Sequence, residues 1–203
     1  MTTPIILASG SPRRQSLLSA LGVSFTVITS DAHEPNTGES PHDIVVGNAI
    51  IKRDDVVSRL PTPSLVIAAD TLVFYEAHVL PKPSDLNEAR RMLRLLSGNT
   101  HQVLTGLAVT HMDTGTSVEA SETTHVTFKE LSDREIDRFV EIVEPLDRAG
   151  AYTVDGPGSL IVAAYRGCYQ NVLGLPMVRL EAMLQGLGVD LFALMDKERA
   201  VFL

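Results

Sequence analysis

Apolar residues fall into two rhythms along this chain. Unbroken runs at Ile5-Ile6-Leu7-Ala8, Leu65-Val66-Ile67-Ala68-Ala69 and Leu72-Val73-Phe74-Tyr75 read as buried strands. Elsewhere the spacing is helical. Leu17, Leu18 and Leu21 predict a helix over residues 12–21, stopped by Gly22, and Ala89, Met92, Leu93 and Leu96 predict another over 86–96, ended by Gly98. A short strand over 24–29 and a polar loop over 30–40 lead into a further helix, capped by Ser40 with Pro41 first and Asp43 in its first turn, reaching about residue 58. Residues 103–112 and 119–128 predict antiparallel neighbours joined by the turn Asp113-Thr114-Gly115. The capping box Ser132-Asp133-Arg134-Glu135 opens a helix through about residue 143. A strand over 160–165 and a last long helix over 176–187 complete the series. Strands alternating with capped amphipathic helices predict the α/β class. There is no repeat, low-complexity tract or linker, so the expectation is a single domain over residues 1–203.

Composition narrows the function classes. A chain of 203 residues that is 44% hydrophobic can build a sizeable core. Its formal net charge of -8 argues against a broad face for a nucleic acid polymer, which needs many lysine and arginine contacts to phosphate. Cys168 is the single cysteine, which excludes an internal disulfide and a cysteine-held zinc site. A reducing, cytoplasmic setting is the expectation. No apolar segment approaches the roughly 20 residues that span a bilayer, and the N-terminus lacks the pattern of a signal peptide, so no membrane partner is expected.

The first strand ends in Ser9-Gly10-Ser11-Pro12-Arg13-Arg14. Ser11 suits an N-cap and Pro12 the first helical position, which would turn the positive end of the helix toward the strand terminus, where an anion binds well. A capped helix with two solvated arginines is the competing reading. Asp70 interrupts an apolar strand, where an unpaired carboxylate is costly; it reads as a metal ligand or general base at a strand end, or as a cap on local amides. Lys52 shares a partly buried helical stripe with Asn48 and Ile44 and is long enough to reach a phosphate or simply water. Lys82 lies between Pro81 and Pro83, which restrict how its loop places the ammonium. Asp31 and Glu34 offer oxygen ligands for magnesium or manganese, or a solvated acidic loop. Residues 147–158 combine acids, Tyr152 and close-approach glycines in the manner of a ligand-facing loop or of ordinary turns. The six histidines lack the helical spacing of a zinc pair, and no serine-histidine-acid triad stands out.

Taken in order, these pieces resemble the Maf family of nucleotide pyrophosphatases. The match runs through 7–14, Glu34, Asn48 with Lys52, Ala69-Asp70-Thr71, Lys82-Pro83, Leu96-Ser97-Gly98, His101, Thr105-Gly106, the segment from Glu144 to Tyr152, and Gly174-Leu175-Pro176. No one motif is decisive, but the ordered set is highly specific. The resemblance implies a Maf-like fold similar to that of inosine triphosphate pyrophosphatases, a mixed twisted sheet with flanking helices in two lobes about a cleft, often as a homodimer. It implies hydrolysis of a nucleoside triphosphate to monophosphate and pyrophosphate with a divalent cation (Mg, Mn or Co). By the same resemblance Asp70 matches the proton acceptor, Ser9, Ser11, Arg14, Lys52 and Lys82 match phosphate-facing positions, and Glu34 matches an acid that helps hold metal.

Within the family one branch resembles dTTP/UTP pyrophosphatases and another prefers 7-methyl-GTP. Arg13 and Thr71 fit the first branch. The third selectivity position, usually glutamine there, is Asp155, which accepts hydrogen bonds but donates none when ionised. Pro81 stands where glycine is common before the lysine. The implied activity is thus a nucleoside triphosphate pyrophosphatase acting on dTTP, UTP or modified pyrimidine nucleotides. Two alternatives stay open at the level of sequence: a nucleotide-binding regulator of division or growth with little turnover, and a phosphoryl or nucleotidyl transferase.

Overall fold

The computed structural model describes residues 3–35, 37–76 and 78–201. In chain order the regular elements are β1 (Ile5–Leu7), α1 (Pro12–Ala20), β2 (Thr26–Val27), α2 (Pro41–Arg59), β3 (Leu65–Tyr75), β4 (His78–Leu80), α3 (Leu86–Leu96), β5 (Thr100–His111), β6 (Thr116–Phe128), α4 (Asp133–Val143), β7 (Val162–Arg166), α5 (Tyr169–Val172) and α6 (Met177–Gly186). The strands form one mixed sheet in the order β2-β1-β3-β5-β6-β7, with β4 paired to β3. This is the expected α/β class. No helix among the described residues is long and apolar enough to cross a membrane.

The described residues divide into two compact units. One contains the chain up to Asp70, Thr105–Glu122 and the part from Gly174 onward; the other contains Thr71–Leu104 and Thr123–Leu173. Each has its own apolar core.

In the first unit β1 runs parallel to both neighbours, Ile5, Ile6 and Leu7 facing Leu65, Val66 and Ile67 on one side, and Ile6 and Leu7 facing Thr26 and Val27 on the other. A strand covered on both faces needs no alternation, which is why Ile5-Ile6-Leu7 is uniformly apolar. One face carries Leu18, Val23, Leu107, Val109, Leu180 and Leu184, and the other Val56, Val66 and Ala68. Helix α2 starts as its sequence predicts: the Ser40 hydroxyl accepts from the Asp43 amide and Pro41 takes the first position. Its first turns press on β5 at Gly106, where a Cβ would overlap the carbonyl of Val45. Glycine is required there by approach rather than by conformation.

In the second unit the core gathers Met92, Leu93 and Leu96 of α3 with Ile136, Phe139 and Val140 of α4 against Val73, Val103, Val126 and Phe128. Helix α3 is capped by Asp85, whose carboxylate accepts from the amides of Asn87 and Glu88, and α4 by the full capping box of Ser132 and Glu135. Strands β6 and β7 pair antiparallel. The buried Asn171 amide donates to the carbonyl of Val103 and to the Thr124 hydroxyl, tying the short α5 down.

Most predicted boundaries fall within two residues of the observed ones. The strand expected over 24–29 shortens to two residues, both exposed at the sheet edge, so its flanks have little to pair with. Strand β4 and helix α5, of three and four residues, carry too few positions to show a period.

Candidate active site

The end of β1 leads straight into α1, and the side chains there are already connected. Arg14, buried on the first turn of α1, donates from Nε to the carbonyl of Gly174 at 2.7 Å and from Nη1 to Ser9 Oγ at 2.9 Å. Ser9 Oγ also accepts from the Ser11 amide at 3.3 Å. Ser11 occupies the N-cap position, as expected, but its hydroxyl makes no capping bond. That half-buried hydroxyl therefore stands at the positive end of the helix without being used by the helix. Burial lowers the pKa of Arg14; Asp70 and Glu34 oppose that shift and Arg13 adds to it. A guanidinium remains charged throughout.

Asp70 lies midway along β3, with 5% of its surface exposed. Its Oδ1 accepts from Lys52 Nζ at 2.8 Å and its Oδ2 from Asn48 Nδ2 at 3.0 Å. Asn48 and Lys52 are one turn apart on α2, so a single helical face serves both oxygens. Burial opposes the charge on Asp70, but Lys52, the Asn48 amide and Arg14 outweigh it and hold the carboxyl below its ordinary range. The group is ionised at neutral pH. Lys52 also reaches Glu34 Oε2 at 2.7 Å, so two carboxylates converge on one ammonium.

The cation on which they converge is Lys52 itself. No group of three or more His, Cys, Asp or Glu that could hold a metal gathers among the described residues. Two carboxylates are too few for a closed zinc cage; a cation such as Mg²⁺ held by Glu34 and Asp70 would take its remaining ligands from substrate phosphate oxygens and water.

Of the residues singled out in the sequence, Ser9, Ser11 and Arg14 form one bonded set and Glu34, Lys52 and Asp70 another, with Arg14 coupled by charge to Asp70 and Glu34. Arg13 is half-buried beside Arg14, and Thr71 follows Asp70 on β3. Asp31 stays apart from the cluster, its amide donating to Asp55 Oδ2 at 3.3 Å. Lys82 and Asp155 belong to the second unit and are exposed there. The Lys82 loop is tied at Pro81, whose carbonyl accepts from the Gly150 amide at 3.1 Å, and the Asp155 carboxylate accepts from the Thr153 hydroxyl. One partner escapes sequence reasoning and a second is only half signalled. The Gly174 carbonyl lies 160 residues from Arg14, beyond any local pattern. The Asn48 amide has one signal, its four-residue spacing from Lys52 on a partly buried stripe.

The comparisons with known proteins give the family. The family model described as Maf-like protein matches residues 4–187. A dTTP/UTP pyrophosphatase of Bacillus anthracis is 46% identical over 187 residues, covering 92% of this chain and 96% of the relative. A dTTP/UTP pyrophosphatase of Bacillus cereus (strain ATCC 10987 / NRS 248) is 44% identical, covering 92% and 91%. Among solved structures, a HAM1 protein from Coxiella burnetii superposes with a TM-score of 0.46 at 16% identity, covering 63% of this chain and 73% of its own. The family assignment rests on the sequence matches. With nearly the whole length matched, this chain belongs to the Maf family.

Proposed function

We propose that this Maf-family chain is a nucleoside triphosphate pyrophosphatase that hydrolyses dTTP and UTP, or modified pyrimidine nucleotides, to the monophosphate and pyrophosphate. The names borne by its relatives support the substrate class. The observation that carries the chemistry is Asp70, buried, ionised, and bonded through Lys52 to Glu34 beside the Arg14–Ser9 pair.

In this reading water attacks the α-phosphorus and the α–β bridging oxygen leaves with pyrophosphate. Charge builds on the leaving group, and the guanidinium of Arg14 and the ammonium of Lys52 stabilise it. Ser9 and Ser11 present hydroxyls to phosphate oxygens. Asp70 orients the water and takes its proton. The ion pair that keeps Asp70 ionised also weakens it as a base; a Lys52 that turns to phosphate oxygen releases that hold, so basicity rises once the nucleotide is bound. A divalent cation held by Glu34 and Asp70 would supply further positive charge to the phosphate oxygens.

Arg13, Thr71, Lys82 and Asp155 are assigned to substrate binding by their match to the family pattern. Asp155 supplies only acceptors, which suits the N3–H that thymine and uracil share.

Incubation with a nucleotide panel and magnesium or manganese tests the reading. The expected products from dTTP and UTP are the monophosphate and pyrophosphate. Orthophosphate with the diphosphate left behind would refute it.

A further inference from the structure

In the second unit three rings meet at right angles. His101 of β5 lies 5.0 Å from Phe128 and 5.2 Å from Tyr152, Phe128 and Tyr152 lie 4.9 Å apart, and the interplanar angles are 84–90°. His101 Nε2 and the Tyr152 hydroxyl are hydrogen-bonded at 2.7 Å, and both residues are buried. Burial takes the imidazole down to about 4 and raises the phenol well above its ordinary value, so both are neutral around pH 7. The pair is not an acid–base relay.

As a packing element it is oddly costly. His101 Nδ1 is buried with no hydrogen-bond partner among the described residues, where an all-apolar ring cluster would leave nothing unsatisfied. What the bond adds is direction, since it fixes the depth and rotation of the tyrosine ring. The backbone beside that ring needs fixing. Gly150 and Ala151 both have positive φ, 69° and 61°, and for a buried alanine this is a strained conformation. A Cβ on Gly150 would lie 3.1 Å from Val73 and 3.2 Å from the Tyr152 ring, so the turn sits directly against the phenol.

On either side of this turn lie bonds to the neighbours of Lys82 and to Asp155, two of the substrate-binding candidates of the unit. Upstream, the Gly150 amide donates to the carbonyl of Pro81, the residue before Lys82. Downstream, Thr153 donates its hydroxyl to Asp155, and the Tyr169 hydroxyl reaches the Val154 carbonyl at 3.4 Å. The Thr153 backbone is itself confined, because a Cβ on Gly158 would overlap its carbonyl.

We propose that His101 and Tyr152 are positioning residues for nucleotide binding: the imidazole holds the phenol, the phenol holds the Gly150–Ala151 turn, and the turn sets the places of Lys82 and Asp155. The inference rests on the proposed pyrophosphatase activity and on the substrate-binding roles assigned to those two residues.

Tyr152→Phe keeps the ring and removes the hydroxyl. The expected result is a KM for dTTP and UTP raised about tenfold, an altered preference across the nucleotide panel, and little change in kcat, because Lys82 and Asp155 act on the bound ground state. His101→Gln retains a neutral partner for the phenol and stays within about threefold of the parent KM, whereas His101→Leu does not. The two His101 variants decide the matter if Tyr152→Phe fails to fold. A lowered melting temperature with KM and nucleotide preference unchanged in the folded enzyme would make the pair merely structural and overturn the proposal, while parent turnover left the activity standing. A parent protein that yields no pyrophosphate from any nucleotide overturns the activity first and the positioning role with it.

Discussion

The first unit buries charged groups against the sheet, Asp70 bonded to Lys52 and Asn48, and Arg14 bonded to Ser9 and the Gly174 carbonyl. In the second unit the corresponding deep pair, His101 and Tyr152, is neutral and surrounded by rings and aliphatic side chains. Buried charge is costly unless each group is paired and hydrogen-bonded, and the first unit meets that condition for both Asp70 oxygens. The same charges are what a triphosphate requires. The neutral pair offers no such chemistry, and its cost is understandable only as geometry. On the proposed reading, one unit carries reactive charge and the other carries position.

Three experiments press on that contrast. Asp70→Asn keeps the shape and removes the charge; turnover should fall by about a thousandfold or more with the fold intact, the melting temperature dropping as Lys52 loses a charged partner. Steady-state kinetics beside a thermal melt checks this, and parent-like turnover would remove Asp70 from the reaction. Lys52→Met strips Asp70 and Glu34 of their shared ammonium and leaves a buried carboxylate short of its partner, for a loss of about 3–5 kcal/mol in urea denaturation. A loss below about 1 kcal/mol would mean that Asn48 and Arg14 suffice.

The third separates the units by pH. The folded pKa of His101 is depressed from 6.5 to about 4, so the unfolded chain binds the extra proton between those values. Stability from this group is complete above about pH 6.5 and declines toward pH 4, by about 3 kcal/mol in total. Asp70 is also depressed, but from 3.8, so its contribution holds above that pH and is lost only in stronger acid. Urea melts at pH 7 and pH 4.5 should show the first decline in the parent and lose most of it in His101→Gln. An unchanged slope in that variant would assign the decline to other groups.

How much of this was legible in the sequence follows the range of each interaction. The capping box of α4, the Ser40 cap of α2 and the helical face of α3 are local patterns, and the structure has them where the pattern lies. Asp70 was conspicuous because a carboxylate interrupts an apolar run, and the cost of burying it required partners. Which partners those would be was only half visible. Asn48 and Lys52 share a stripe, but nothing in α2 shows that the stripe faces β3. The link from Gly150 to Pro81 is invisible for a different reason: it is a backbone bond between distant segments, and no side chain records it. Lys82 and Asp155 are therefore joined in the sequence only by the family resemblance, with no local pattern that ties their loops together. Ser11 illustrates the opposite failure, a good capping residue in the capping position whose hydroxyl does not cap.

The close approach of α2 to β5 at Gly106 bears on how this site tolerates sequence drift. Helix and strand meet there backbone to backbone, and backbone atoms have no rotamers to rearrange. Substitutions elsewhere on the apolar face of α2 can then accumulate while the helix keeps its distance from the sheet, and Lys52 and Asn48 keep theirs from Asp70. Robustness gained this way is concentrated at one residue. A methyl group in place of one hydrogen at position 106 would run into the Val45 carbonyl, so helix or strand would have to shift.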